Sequence, residues 1–338
     1  LHTQMSTMDA LIPPDVAVKT ANRWGPRAVA ITDHGNLYGA VSFFKACRAE
    51  GIKPIIGCEV YVAPRTRFDK EGKRDASGNH LILLCKNQTG YENLIYMVSK
   101  SFTEGFYQKP RIDLDLLRTH ADGLIALSAC LAGCIPRAIV SGDFAGARQD
   151  ARTLANIFGA GNFYLELQNH GIPEQREVNA ELIAMAKELS LPLVATNDVH
   201  YLRKLDAENQ AVMMCIQTGR TLAEGKPIGF ETEEFYYKST SEMEKLFGDV
   251  PEALSNTVKI ADACTFEFKF GNLYLPKIAA SDGKTPFEQL RAHTFEGLDK
   301  KIESGYIRLD TFSKEDYIAR AEYELSVIES MGFTDYIL

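Results

Sequence analysis

Several things are missing from this 338-residue chain, and each absence removes a class of function. No apolar stretch approaches the ~18 residues of a membrane helix, so nothing in the sequence is expected to span a bilayer. Surplus positive charge is missing too. The formal net charge is −8, which argues against a surface that coats polyanions, although bound cations could still supply local positive charge at a nucleic-acid site. There is no disulfide framework: seven cysteines are an odd number, scattered through apolar runs (Cys58, Cys85, Cys215). That usage fits a reducing cytoplasm. The chain has neither a glycine-rich phosphate loop nor a Gly-x-Ser-x-Gly elbow, and no internal repeat or low-complexity tract. Nothing resembles a signal peptide. The first residue is Leu1 rather than Met, so the chain is expected to be a fragment.

What is present is an alternation of strand-length apolar runs and helical patterns. Strands are expected at 27–32, 53–62, 80–85, 123–129, 162–168 and 191–197, with a further one just before Leu1 making seven. Helices are expected at 14–23, 39–50, 90–102, 144–158 and 174–189, Asp143 capping the fourth. Unbroken Val, Ile and Leu runs suit strands buried on both faces of a parallel sheet. From about 205 the pattern becomes mainly helical (205–217, 240–247, 251–264, 286–303 and 314–331). Gly271 to Gly283, with Pro276, Ser281 and Asp282, reads as a domain boundary.

Candidate metal ligands recur at the ends of the apolar runs. Ala28 to Thr32 leads into Asp33-His34, and Pro54 to Cys58 leads into Glu59. His80 opens Leu81 to Leu84, Leu124 to Ala129 ends at Cys130, and Leu193 to Asn197 leads into Asp198-Val199-His200. Imidazole, carboxylate and thiolate bind zinc and similar ions, and barrel strands carrying them at one end bring them to one mouth. This favours a barrel over a doubly wound sheet, which would gather them at its switch point.

Each residue also has a plainer reading. His2 and Asp9 carry little weight alone, and Asp33 could simply cap a helix. Glu59 lies in an apolar strand, where an unpaired carboxylate is costly; it needs a cation, strong donors or a salt bridge. His80 could be a strand-edge residue and Cys130 a small buried hydrophobe. Asp198 and His200 share one face of an extended segment. Glu166, Gln168 and His170 read as rim residues or substrate contacts, and His120 and His293 as surface residues. The plain readings give no reason for so many of these groups to fall at strand ends.

The segments resemble the PHP (polymerase and histidinol phosphatase) domain found at the start of bacterial DNA polymerase III alpha subunits. The resemblance is carried by His2-Thr3-Gln4-Met5-Ser6 with Asp9, Ala30 to Leu37, Gly51 to Glu59, Leu127 to Leu131, Gln168 to Gln175 and Ala195 to Tyr201. Beyond these, Pro251 to Thr257 and Tyr323 to Phe333 look like the same polymerases, a block that stand-alone PHP phosphatases lack.

The resemblance implies an α/β fold: a distorted seven-stranded (β/α) TIM-like barrel over 1–272, and the beginning of a polymerase palm over 273–338. It implies two to three divalent ions, zinc or manganese. His2, Glu59 and Asp198 would hold one, Glu59 would bridge to a second held by His80 and Cys130, and Asp9, His34 and His200 would hold a third. Asp9 and Asp198 are the expected catalytic carboxylates. His2 looks like the second histidine of a His-x-His pair. Cys134 stands where the family often has glutamate and is not carried over. The implied function is that of a replicative DNA polymerase fragment whose barrel is a phosphoesterase, a 3′–5′ exonuclease. The polymerase site, with its magnesium, would lie downstream. Implied partners are primer-template DNA, deoxynucleoside triphosphates, a sliding clamp and a proofreading exonuclease. A small-molecule phosphatase and a non-catalytic scaffold are the alternatives.

Overall fold

The computed structural model describes residues 1–224, 229–272, 274–279 and 283–338. Leu273, Ala280, Ser281 and Asp282 of the expected boundary region lie outside them. Two compact units are present, Leu1–Phe268 and Lys269–Leu338. The second is helical, with long helices at Pro286–Glu303 and Lys314–Ser330, each opened by a reciprocal capping box. No helix among the described residues is long and apolar enough to cross a membrane.

The first unit is a curled sheet of seven strands surrounded by helices, the distorted TIM-like barrel expected. The strands are β1 (Ala28–Ile31), β2 (Lys53–Val62), β3 (Asn79–Cys85), β4 (Arg111–Ile112), β5 (Leu124–Leu127), β6 (Phe163–Leu167) and β7 (Leu193–Ala195). They run in the order β1-β2-β3-β5-β6-β7, with β4 on β2. The helices follow the expected pattern closely, and Asp143 does cap Phe144–Phe158 through Gly146 N. Short helices at Gly72–Ala76, Leu114–His120 and Cys134–Val140 were not foreseen. Leu1 O accepts from Thr32 N at 2.9 Å and His2 N donates to Val199 O at 2.9 Å. The chain therefore starts between the ends of β1 and β7.

The sheet is not purely parallel. β3 runs antiparallel to both β2 and β5, and the seventh strand is the two-residue β4, parallel to β2. Apolar alternation carries no direction, which is why the inversion is invisible in the sequence. β3 also approaches β2 closely: a Cβ on Gly57 would fall 2.5 Å from Leu83 O.

Continuous apolar strands arise because both faces are buried. Val29, Ile31, Ile56, Cys58, Leu81, Leu83, Leu165 and Leu193 pack outward against helices. The alternate positions face the barrel axis. They are Ala28, Ala30, Ile55, Ile82, Leu84, Ile125, Leu127, Tyr164 and Val194, joined by Ile260 and Cys264 at the end of helix Pro251–Ala263. Two residues further along this inner register the composition becomes polar. Ala30 is followed by Thr32 and His34, Ile55 by Gly57 and Glu59, Tyr164 by Glu166 and Gln168, and Val194 by Thr196 and Asp198. Because β3 is inverted, its polar residue, His80, comes at the strand's start yet reaches the same end. The apolar plug and the polar mouth are thus one period-2 pattern read along the axis.

Candidate metal centre

Glu59 is the hub. Its side chain is almost fully buried, with Oε1 at 2.8 Å from both His34 Nδ1 and His80 Nδ1 and Oε2 at 3.8 Å from His2 Nε2. His2 Nε2 lies 2.8 Å from Asp198 Oδ1. Cys130 Sγ lies 3.5 Å from His80 Nδ1. His34 Nε2 faces both Asp9 Oδ2 at 3.0 Å and His200 Nε2 at 3.3 Å. The His2 and His34 rings stack at 4.1 Å. All eight sequence-identified candidates therefore meet in one cluster.

Local backbone explains the convergence. Past β1 the ladder resumes as Glu59 N donates to Asp33 O (3.1 Å) and Gly35 N to Glu59 O (2.8 Å), which sets His34 beside Glu59. His80 N donates to Ala132 O (3.0 Å), drawing the Cys130 loop to His80. Ala129 (φ 63°) and Asp198 (φ 44°) occupy the left-handed region without being glycine. Such residues cost about 1 kcal/mol or more and concentrate at functional sites.

Three triads lie close enough to serve a common ion: His2/Glu59/Asp198, Glu59/His80/Cys130 and His2/His34/His200. The first two match the expected ligand sets. In the third, His2 joins His34 and His200, while Asp9 reaches the group through His34. Donors about 2.0–2.3 Å from one tetrahedral ion stand roughly 3.3–3.8 Å apart, and closer in octahedral geometry. The observed 2.8–3.8 Å spacings fit such a role, as does the mixed carboxylate, imidazole and thiol donor set.

The electrostatics point the same way. Burial works against charge on His34, but Glu59 and Asp9 outweigh it and raise its pKa to about 10. Burial together with His34 and His200 lowers His2 to about 4, leaving a neutral imidazole at pH 7. Burial alone would raise Glu59, yet His34 and His80 hold it well below the usual carboxylate range. Asp9 is lowered to about 2, its hydrogen bond to His34 overcoming burial. Burial, with Asp198 and Glu59 nearby, pushes the Cys130 thiol up. The carboxylates of Asp9, Glu59 and Asp198 thus converge on one mouth, and a cation would relieve the repulsion among them.

Several positions differ from expectation. Asp33 caps no helix. It is buried and accepts from Thr3 N (2.6 Å), Thr3 Oγ1 (2.8 Å) and Ser6 Oγ (2.8 Å), tying down the segment that carries His2 and Asp9. Asp33→Ala strands these donors. It is expected to cost about 3 kcal/mol or more in denaturant unfolding; a loss below about 1 kcal/mol would show the tether lies elsewhere. His170 is not a rim residue but is fully buried, pairing with Gln175 and with Asn197 O at 2.9 Å just before Asp198, and stacking on Phe235. Glu166 and Gln168 are likewise buried, lining with Glu59 and Asp198 a cavity of about 110 Å³ under the cluster. Burial raises Glu166 to about 7 against its bonds from Thr196 and Gln168. Cys134 stands apart, beside Asp150. His120 stacks on Tyr96, and His293 is exposed in the second unit.

The PHP domain family model matches residues 1–170, half of the chain. This chain belongs to the PHP family. Along its whole length it is also 41% identical to DNA polymerase III subunit alpha of Treponema pallidum, 43% to that of Borreliella burgdorferi and 39% to that of Thermus aquaticus. These alignments take in all of this chain but 28%, 29% and 32% of the relatives, so it spans about three-tenths of their length. The cluster on β1, β2, β3 and β5 and the segment before β1 falls within the matched PHP region. Asp198 and His200 lie beyond it.

Proposed function

We propose that this PHP barrel is a polynuclear metal-dependent phosphoesterase within a replicative DNA polymerase, and that it removes nucleotides from DNA 3′ ends. The observation that carries the reading is the shared carboxylate, Glu59, common to two potential ligand triads at one barrel mouth. His2, Glu59 and Asp198 would hold one divalent ion, Glu59, His80 and Cys130 a second, and His34 and His200 with Asp9 a third, zinc or manganese fitting the donors. When bound, the ions would polarise a phosphoester and offset charge on its leaving oxygen. Asp9 and Asp198 keep 24% and 12% of their side chains accessible, against 2% for Glu59. They are therefore the carboxylates placed to accept a proton from an attacking water. The full-length similarity supports residues 273–338 as the beginning of a polymerase palm. It also supports a cytoplasmic setting with primer-template DNA, deoxynucleoside triphosphates, a clamp and a proofreading subunit as partners, and a magnesium-dependent polymerase site elsewhere.

The test is hydrolysis of 3′-labelled DNA by zinc- or manganese-loaded protein, with and without chelator. Metal-dependent release of mononucleotides is expected. Turnover of histidinol phosphate but not DNA would replace this reading with a small-molecule phosphatase, and an intact metal cluster with no turnover would leave a scaffold.

A further inference from the structure

Beside the cluster stands a side chain with no part in it. The turn before β4 is brought to the mouth because β4 pairs with β2 at Tyr61 and Val62, immediately beyond Glu59. Tyr107 N donates to Lys109 O (3.1 Å) around Gln108, whose φ is 60°. Pro110 sits against the residue following His34, since a Cβ on Gly35 would fall 2.7 Å from Pro110 Cγ. The exposed Lys109 ammonium lies 5.4 Å from the centre of the Tyr61 ring. That ring is edge-on to His80 at 5.1 Å and lies 6.4 Å from His34.

The turn is held rigidly. Arg111 is fully buried and makes no ion pair among the described residues, the charges of Asp75 and Asp69 acting on it from further off. Its guanidinium donates to the carbonyls of Gly105 (3.0 Å), Asp75 (2.6 Å), Arg67 (3.2 Å) and Asp69 (2.9 Å). Burying a charge on neutral acceptors is costly, and the result is that the segments around 67–75 and 105–110 are fixed to one another. Neighbouring arginines are committed elsewhere: Arg65 pairs with Asp75, and Arg67 with Asp113 and Glu104. Lys109 has no carboxylate partner among the described residues, although the chain as a whole is acidic.

We propose that Lys109 is the phosphate anchor of the barrel mouth, its ammonium gripping a non-bridging oxygen of a phosphate-ester substrate beside Glu59 and His80. This rests on the phosphoesterase reading. Ammonium donors and phosphate oxygens form strong charge-assisted hydrogen bonds, and a lysine on a pre-set turn loses less freedom on binding. The competing role is that of a counter-charge that merely relieves repulsion among Glu59, Asp9 and Asp198. The two differ in sign, because a counter-charge competes with the metal ions and its removal would tighten their binding.

The experiment measures kcat and KM separately on a 3′-labelled single-stranded oligonucleotide, across a range of salt, for metal-loaded wild type, Lys109→Gln and Lys109→Arg. Lys109→Gln is expected to raise KM roughly tenfold with kcat changed less than about twofold, and to lower the salt slope by about one. Lys109→Arg should recover most of the affinity, and all three should hold equal amounts of metal. Wild-type turnover with an unchanged KM and tighter metal binding in Lys109→Gln would overturn the anchor alone. A metal-loaded wild type that cleaves no phosphoester would overturn the phosphoesterase reading and the anchor with it.

Discussion

Asp198→Asn is expected to cut metal-dependent release of nucleotides from a DNA 3′ end on the order of 100-fold or more, with the fold left standing. Asp198 Oδ1 is 2.8 Å from His2 Nε2, and a carboxamide keeps the shape and one acceptor for that contact. It loses the formal charge that one metal requires. Asp9→Asn should behave alike, because Asp9 Oδ2 faces His34 Nε2 at 3.0 Å and is the most accessible carboxylate of the cluster. Circular dichroism and the polymerase activity of the full-length enzyme should stay near wild type. Equal degradation of a mismatched primer with and without these substitutions would remove the exonuclease assignment and favour the scaffold.

Chelation should lower the melting temperature of the wild type by about 10–20 °C, at least two ions being lost. The metal-free mouth gathers Asp9, Glu59 and Asp198, and at neutral pH His34, raised to about 10, supplies compensating positive charge. His2 is neutral there, lowered to about 4 by burial and by His34 and His200. Like charges at short range disfavour the ionised state, so ions that bind the folded form stabilise it by mass action. At a hundred times Kd the gain is about 2.7 kcal/mol per site, and in a domain of this size each kcal/mol moves the midpoint by roughly 2–4 °C. Glu59→Gln and Asp198→Asn should each show less than about half the wild-type shift. Equal shifts in all three proteins would mean the carboxylates are structural.

The sequence carried the barrel and its mouth because one period-2 register encodes both. Ile55, Gly57 and Glu59 face the axis in succession, as do Val194, Thr196 and Asp198, so a carboxylate after an apolar run marks the open end. The inversion of β3 was not legible, since Leu81 to Leu84 alternates identically in either direction, and β4 is too short to give a pattern. The tethering role of Asp33 was not legible because its partners, Thr3 and Ser6, lie 30 and 27 residues earlier. His170 looked like a rim residue for a similar reason: what buries it is Phe235, on a later loop. His2 and Asp9 gained their weight only from the family resemblance. Lys109 left no signal at all, for its place depends on Arg111 and on β4 pairing with β2.

The central claim is that the mouth of the barrel holds several metal ions through Glu59. It is tested most directly by elemental analysis after equilibrium dialysis against zinc or manganese, comparing wild type with Glu59→Gln. At least two equivalents are expected in the wild type, and at least one fewer in Glu59→Gln, because Glu59 belongs to two of the three triads. No bound metal in the wild type, or the same number in both proteins, would contradict the account.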